Sequence, residues 1–230
     1  MDHRCEGTED QLDTHADLPD RVEAAAALNR LGHALVGHRA EPEVLLRIAD
    51  AAQALAARIE QAPVRERGME VGGSPRFLRA VAERRPLGDL VGDGAFLDMF
   101  EDSPVSGSAN PLSIGLKIRQ DGEQAVGVVT LERGWEGAPG RSHGGIVASC
   151  VDETLGGILP ILGEMAFTGE LTLRYEGPCP MGVPLEFRAW LDRREGRKLH
   201  LRCIGSADQA VFVRASAVFI TVDLERFRTR

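Results

Sequence analysis

Residues 140–157, GRSHGGIVASCVDETLGG, carry the strongest pattern in the chain. His143 is followed by two glycines, which allow a tight turn into a helix whose first backbone N–H groups are unpaired. Those groups and the positive end of the helix dipole can hold an oxyanion. Apolar or small residues then recur at helical spacing: Ala148, Val151, Leu155, Gly156 and Leu159. Asp152 falls within this stripe, and because burying an unpaired carboxylate is very costly, it needs a partner or a chemical task.

Composition narrows the class of protein. The chain has 230 residues, 43% of them hydrophobic, so it can bury a substantial core. Its net charge of −8 argues against a nucleic-acid or anionic-membrane surface, since both require an excess of Lys and Arg. Residues 174–202 are nevertheless basic, with seven Arg or Lys against four Asp or Glu. A small polyanionic ligand fits this segment better than a polymer does.

Cysteine usage and the N-terminal composition indicate a cytoplasmic protein. Cys5, Cys150, Cys179 and Cys203 are widely spaced and form no C-x-x-C pair, which argues against a zinc site and a disulfide framework. The first twenty residues are acidic and lack an apolar segment, unlike a secretory signal or a transit peptide. No uninterrupted apolar stretch reaches the roughly 18 residues of a membrane span. We therefore expect a soluble chain with reduced thiols.

Three segments precede the strand-rich part of the chain. Residues 1–19 are polar and aperiodic, which predicts a disordered acidic tail. Residues 20–62 predict a helical hairpin, with helices at 20–39 and 42–61. Residues 63–110 are rich in Gly, Pro, Ser and charge, which predicts a connector that packs over something, with a short helix at 77–83.

The sequence of the helical hairpin offers residues that suit the starts of its helices, and it contains two histidines. Asp20 is the candidate cap of the first helix, and Pro42 lies in the first turn of the second. His33 and His38 are five residues apart rather than three or four, and they lack clear carboxylate or cysteine companions. The spacing therefore does not favour a metal site here.

Residues 111–224 are expected to form one domain. Alternating apolar residues predict strands at 112–118 and 126–130, joined by a hairpin at Asp121-Gly122. A helix at about 145–161 follows, and then come four more strands, at 167–175, 185–191, 199–204 and 211–222. This order predicts a mostly antiparallel α+β sheet with one helix against a face. Gly156-Gly157 inside the helix indicates that another backbone passes close to it.

Four motifs between residues 134 and 223 resemble the hotdog-fold acyl-CoA thioesterases, specifically the PaaI-like branch that includes the mammalian thioesterase-superfamily members. They are GWEGAPGRSHGG (134–145), VDETLG (151–156), TGELTLRY (168–175) and EGRK (195–198). Residues 1 to about 105 are not covered. The resemblance implies a hotdog fold, in which the sheet wraps around the helix and active sites form between two subunits. It thus implies a homodimer or a dimer of dimers that binds an acyl-CoA substrate.

The resemblance also implies roles for individual residues. Asp152 is the general base or the nucleophile, and the N–H of Gly145 polarises the thioester carbonyl, with Gly144 in the same substrate-binding turn. His143 orients the site, although it could equally cap the helix. Thr168 of the other subunit helps to position the water, although it could be an ordinary strand residue. This chemistry agrees with the residue pattern, since thioester hydrolysis needs oxyanion donors and a base within reach of a water.

The sequence differs from some relatives at one position and offers candidate contacts for coenzyme A. Some relatives carry an asparagine at the position of Gly137. If that asparagine holds the water, its role must pass here to Thr168 or to the backbone. Arg197 and Lys198 are candidate contacts for the polyphosphate of coenzyme A, with Arg174 as a further substrate-binding candidate. Charged turns are also often simply solvated. Coenzyme A is part of the substrate, and neither a metal nor another cofactor is expected.

Hydrolysis of acyl-CoA thioesters is the function that the sequence favours. One alternative is a non-hydrolytic acyl-CoA or acyl-carrier binding protein of the same fold. Another is a partner-docking hairpin on a hotdog dimerisation platform. Cys150 is expected to pack in the core rather than to act as a nucleophile, since no histidine is placed as its base.

Overall fold

The fold is known from a computed structural model that describes residues 17–65, 79–80, 83, 85–86, 94, 96–97 and 99–222. Residues 1–16 of the tail predicted over 1–19 lie outside these residues, as does most of the predicted connector between 66 and 98, whereas residues 18 and 19 of that tail are helical. In the predicted helix at 77–83, residues 79, 80 and 83 are helical and the others lie outside the described residues.

The described chain contains one six-stranded antiparallel sheet, with the strand order β1-β2-β4-β5-β6-β3. The strands are β1 Lys117–Asp121, β2 Gln124–Thr130, β3 Ala166–Tyr175, β4 Pro184–Glu195, β5 Lys198–Ala207 and β6 Ala210–Thr221. The helices are α1 Leu18–Gly37, α2 Pro42–Ile59, α3 Gly144–Gly156 and α4 Ile158–Leu162, with a 3₁₀ helix at Arg133–Trp135. The α+β hotdog fold predicted from the sequence is confirmed.

The sheet encloses α3, which forms the centre of the core. Val147, Cys150, Val151 and Leu155 are at most 1% exposed and pack with buried side chains of the strands. The stretch Gly144–Leu162 is long and apolar enough to cross a membrane by composition. Its buried side chains lie instead against the sheet, as expected for the core helix of a globular domain.

The predicted single helix at 145–161 is wrong in one respect, because it is broken after Gly156. Pro160 has no N–H to donate to the carbonyl four residues earlier, and its ring crowds that carbonyl. The N–H of Gly157 instead bonds to the carbonyls of Glu153 and Thr154 at 3.0 and 3.1 Å. The predicted close approach holds only in part: a Cβ on Gly157 would lie 2.9 Å from the side chain of Ile118, not from another backbone segment. No described residue lies within 4 Å of a Cβ on Gly156.

The first strand is shorter than predicted. Residues 112–116 lie outside β1, because the N–H of Ser113 bonds to the carbonyl of Asn110 in a turn. Leu112 is 73% exposed, although the alternating residues after it do reach the core. The predicted hairpin is confirmed, since Asp121 pairs with Gln124 and Gly122 has a positive φ of 59°.

The two N-terminal helices lie within two residues of their predicted ranges. α1 begins at Leu18, two residues before the predicted start, and its N-cap residue is Asp17 rather than Asp20. The cause is local, because Pro19 suits a first helical turn. Arg65 forms an ion pair with Asp17, so the chain returns to the start of α1.

Apolar side chains of both helices remain exposed. Those at least 37% exposed are Leu28, Leu31, Leu35, Val36, Val44, Leu45, Leu46, Leu55 and Ile59. A partner-docking role would require such a surface, and this role remains a prediction.

Candidate active site

His143 caps the first turn of α3. Its Nδ1 atom accepts a hydrogen bond from the N–H of Gly145 at 3.0 Å, and its carbonyl accepts from Ile146 and Val147. The capping alternative for His143 therefore describes the observed conformation. The N–H of Gly145, the predicted oxyanion donor, is held by His143, while that of Gly144 has no hydrogen-bond partner in the described part of the chain.

A cavity of about 340 Å³ lies beside this turn. Its lining includes Arg141, Gly144, Val147 and Tyr175. The hydroxyl of Tyr175, at the end of β3, donates to the carbonyl of Gly144 at 2.8 Å. The sheet is thereby tied to the first turn of α3, and a substrate group could lie next to the helix N-terminus.

The segment before α3 folds back on itself and explains the glycine at 137. The N–H of Gly137 bonds to the carbonyl of Arg141, and that of His143 bonds to the carbonyl of Trp135 at 2.9 Å. A Cβ on Gly137 would lie 2.8 Å from the Cα of His143, too close for any side chain without a shift of the backbone. The asparagine of some relatives does not fit here, so a water must be positioned by other groups.

One carboxylate stabilises this fold-back. Glu136 accepts a hydrogen bond from the N–H of Gly140 at 2.6 Å and one from Arg133 at 3.1 Å. The Gly140 N–H, followed by Arg133, holds the pKa of Glu136 below its usual value. The loop that leads to His143 is therefore tied together around an ionised carboxylate.

Asp152 lies two turns along α3 and is paired with Thr168. The Thr168 hydroxyl donates to Oδ1 of Asp152 at 3.0 Å, within a single chain. The Thr168 that pairs with Asp152 therefore belongs to the same chain, and the expectation that Thr168 of the other subunit serves the site remains a prediction. The pairing within one chain follows from topology: β3 follows α3 and α4 after a short connection and returns alongside α3.

The prediction that Asp152 lies within the buried apolar stripe is wrong. Val151 and Leu155 are fully buried, whereas Asp152 is half-buried. Its position follows from the helical period, since residues 145, 149, 152 and 156 share one face of α3. We call these four residues, Gly145, Ser149, Asp152 and Gly156, the open face of α3. The carboxylate reaches solvent, so its charge is not stranded in the core.

A β-bulge turns Thr168 toward α3. The register between β3 and β6 shifts between Thr168 and Glu170, with Thr168 opposite the buried Phe219. Without that extra residue, Thr168 would point to the outer face of the sheet together with Glu170. Gly169 occupies the bulge, where a Cβ would lie 3.2 Å from the Ile220 side chain. The threonine therefore depends on the glycine after it.

The two ends of the open face are too far apart to act on one thioester. Gly145 and Asp152 are seven residues apart, which corresponds to about 10 Å along a helix at 1.5 Å per residue. An oxyanion donor must lie about 3 Å from the carbonyl oxygen, and the attacking atom about 3 Å from its carbon. By this estimate from helix rise, Gly145 and Asp152 of one chain are not expected at the same carbonyl.

The basic candidates lie apart from Asp152. Arg197 donates from Nε and Nη2 to the carbonyl of Thr221 at 3.1 and 2.9 Å. Lys198 and Arg174 are exposed and lie in register with outward-facing positions of β6, on the opposite side of the sheet from α3. Their predicted role as substrate contacts remains a prediction.

The prediction for Cys150 agrees with its surroundings. Cys150 is fully buried, and burial raises the pKa of its thiol to about 12, with smaller contributions from neighbouring groups. Burial also raises the pKa of Cys179 and Cys203 to about 12. These thiols stay protonated at neutral pH, which is unsuitable for a nucleophile.

Sequence reasoning missed three contacts around α3. Glu153 accepts hydrogen bonds from the hydroxyls of Ser103 and Ser106, which ties the segment before β1 to α3. Tyr175 lies in the TGELTLRY motif, but the sequence does not indicate that its hydroxyl bonds to the carbonyl of Gly144. His33 contacts the loop before α3 across 101 positions of sequence, a pairing that no local pattern indicates.

Comparison with known proteins gives a consistent picture. No family model matches the chain. Acyl-coenzyme A thioesterase THEM5 of Homo sapiens is 35% identical over 92 residues, which cover 39% of this chain and 37% of the human protein. Acyl-coenzyme A thioesterase THEM4 of Mus musculus is 36% identical over 93 residues, which cover 40% of each chain.

A solved structure matches over more of the chain. The crystal structure of a thioesterase superfamily protein matches with a TM-score of 0.69 and 24% identity, over 87% of this chain and 90% of that one. The chain thus has a hotdog fold, and its resemblance to acyl-CoA thioesterases is confirmed. The matches span only about two-fifths of the length of the curated relatives.

Proposed function

We propose that the protein hydrolyses acyl-CoA thioesters to a free acid and coenzyme A, with Asp152 as the general base or the nucleophile. The observation that carries this proposal is the Asp152–Thr168 pair on the open face of α3. Similarity to curated acyl-CoA thioesterases supports the substrate class. A half-buried carboxylate with one oxygen held by a hydroxyl is suited to attack or to proton removal.

The site is completed by a second copy of the chain. Gly145 and Asp152 of one chain are about 10 Å apart, so a thioester near Asp152 needs oxyanion donors from elsewhere. An antiparallel second α3 would bring its own first turn to that place. Gly156 leaves room for it, since no described residue lies within 4 Å of a Cβ at that position. We therefore assign the protein as a homodimer or a dimer of dimers.

The chemistry needs no group beyond these residues and water. As a base, Asp152 takes a proton from water, whose oxygen attacks the thioester carbon. As a nucleophile, its Oδ2 atom attacks that carbon, and water then cleaves the resulting anhydride. In both routes the carbonyl oxygen gains negative charge at the helix N-terminus, and coenzyme A leaves as a thiolate that is then protonated.

His143 has to release the donor that it caps. Its Nδ1 atom accepts from the N–H of Gly145, so the substrate carbonyl replaces the imidazole as acceptor. The N–H of Gly144 lies in the same turn and is available without this exchange. His143 therefore keeps the turn formed in the free protein and moves aside when substrate binds.

A panel of short, long and aromatic acyl-CoA esters tests this function. A thiol-reactive dye measures the release of free coenzyme A. We expect release with at least one acyl class, and the class that reacts fastest gives the acyl specificity. Binding without thiol release would instead support the non-hydrolytic alternative. The buried thiols of Cys150, Cys179 and Cys203 should add little background to this assay in the folded protein.

A further inference from the structure

The first N-terminal helix rests on the segment that leads into the proposed oxyanion turn. His33, on α1, accepts a hydrogen bond at Nδ1 from the N–H of Gly134 at 3.0 Å. Its ring also meets the ring of Trp135 edge-on, with centroids 5.4 Å apart and an interplanar angle of 77°. A residue far outside the matched motifs thus supplies both a polar and an aromatic contact to this segment.

The fit between α1 and this segment is close. A Cβ on Gly134 would lie 2.5 Å from Nδ1 of His33, so only glycine allows the imidazole to approach. A Cβ on Gly37, at the end of α1, would lie 3.3 Å from the Arg133 side chain. The contact therefore requires a small residue on each side, Gly134 on the loop and Gly37 on α1.

One backbone hydrogen bond carries this contact to the first turn of α3. The carbonyl of Trp135 accepts from the N–H of His143 at 2.9 Å. His143 in turn caps α3 through its side chain and its carbonyl. A displacement of Trp135 would therefore move the cap and the first N–H groups of the helix.

We propose that α1 positions the first turn of α3 for the reaction, with His33 as the positioning residue. This inference rests on the proposed function. An oxyanion donor has to be held within a fraction of an ångström of its productive position, and supporting contacts provide that accuracy. The role explains why α1 lies against the loop before α3.

Three single substitutions in the full-length chain test the role. His33→Phe keeps a ring against Trp135 but removes the acceptor for Gly134. His33→Asn loses the ring but can keep an acceptor near the position of Nδ1. Asn29→Ala is the matched control on the same helix, because among the described residues Asn29 donates to the carbonyls of Pro111 and Ser113, at 3.1 and 2.9 Å, and not to the loop before α3.

Two readouts separate positioning from general docking. For His33→Phe we expect a kcat lowered about 3- to 10-fold, the loss of one hydrogen bond's contribution, with little change in KM. The backbone amides of residues 145–147 should also exchange hydrogen several-fold faster. His33→Asn should restore much of both properties, and Asn29→Ala should change neither.

Two outcomes would overturn the proposal. One is an unchanged kcat and unchanged amide exchange in His33→Phe. The other is an equal effect of Asn29→Ala, which would make the contact part of the general docking of α1. If the wild-type protein hydrolyses no acyl-CoA ester, the proposed function fails on its own. The exchange measurement then still decides whether His33 holds the first turn of α3.

Discussion

The two faces of α3 differ in what they contact. One face, including Cys150, Val151 and Leu155, is fully buried against the sheet and builds the core. The open face carries Gly145, which is exposed, and Asp152, which is half-buried, and both have hydrogen-bond partners. The same helix therefore supplies stability on one side and the candidate chemistry on the other.

This difference shows how the fold and the site are separated along one helix. Packing fixes the direction of α3 through residues that play no chemical part. The open face can then change for function at little cost in stability, since half-exposed side chains lose few contacts when they are replaced. We further propose that the two polar ends of the open face serve different carbonyls, because they are about 10 Å apart along the helix.

Substitution on the open face should have the largest effect on activity. Asp152→Asn should lower kcat roughly 10²-fold or more, because it removes the base or nucleophile and keeps the side-chain volume. Urea unfolding should show nearly unchanged stability. Asp50→Asn, an exposed change on α2, is the matched control and should leave turnover unchanged. Near-normal turnover in Asp152→Asn would remove this carboxylate from the mechanism.

Substitution on the buried face should have the opposite profile. Leu155→Ala should lower the free energy of unfolding by about 2–5 kcal/mol, because it leaves a cavity beside the sheet. The turnover of the protein that remains folded should stay close to the wild-type value. A large loss of kcat without a loss of stability would break the distinction between the two faces.

The buried thiols give the core of the domain a pH-dependent stability. Burial raises the folded-state pKa of Cys150, Cys179 and Cys203 from 9.0 to about 12, so the folded protein keeps protons that the unfolded chain releases. This stability is complete below pH 9 and is lost as the pH rises from 9 toward 12. The loss should be about 1 kcal/mol per thiol at pH 10.

Urea unfolding at pH 8 and pH 10 measures this loss. Cys203→Ala should reduce the difference by about one thiol's share, whereas Asp152→Asn should leave it unchanged. A difference that does not respond to Cys203→Ala would show that other groups cause the pH dependence.

The smallest effect is expected at the outward-facing lysine. Lys198→Ala should raise KM for full coenzyme A esters no more than about fivefold, since an exposed ionic contact contributes little. Pantetheine esters, which lack the nucleotide phosphates, should be unaffected. Arg197→Ala is a less clean probe, because Arg197 also holds the carbonyl of Thr221. Equal effects on both ester types would move the phosphate contact elsewhere.

Local patterns in the sequence predict most of the helices and strands. The period of two predicts the strands, and the His-Gly-Gly turn predicts where α3 begins. The sequence singled out Asp152 by placing it in a buried apolar stripe, whereas the structure leaves it half-buried on the open face. The bulge at Gly169 could not be predicted, since it exists only in the register between β3 and β6. The His33 contact was also missed, because it depends on how α1 packs against a distant loop.

The central claim is that each active site combines the first turn of α3 from one chain with the Asp152–Thr168 pair of another. Subunit exchange between two inactive variants tests it directly. Gly145→Pro removes the N–H donor at a position where a helix tolerates proline, and Gly145→Ala, which keeps the N–H, is its control.

Mixing Asp152→Asn with Gly145→Pro should restore about one quarter of the wild-type activity, since half of the dimers then carry one intact site of two. Mixing Asp152→Asn with Thr168→Ala should restore none, because both residues serve the site from the same chain. Exchange has to be confirmed independently, for example by native mass spectrometry of tagged subunits. No recovery in the first mixture, or equal recovery in the second, would contradict the shared site.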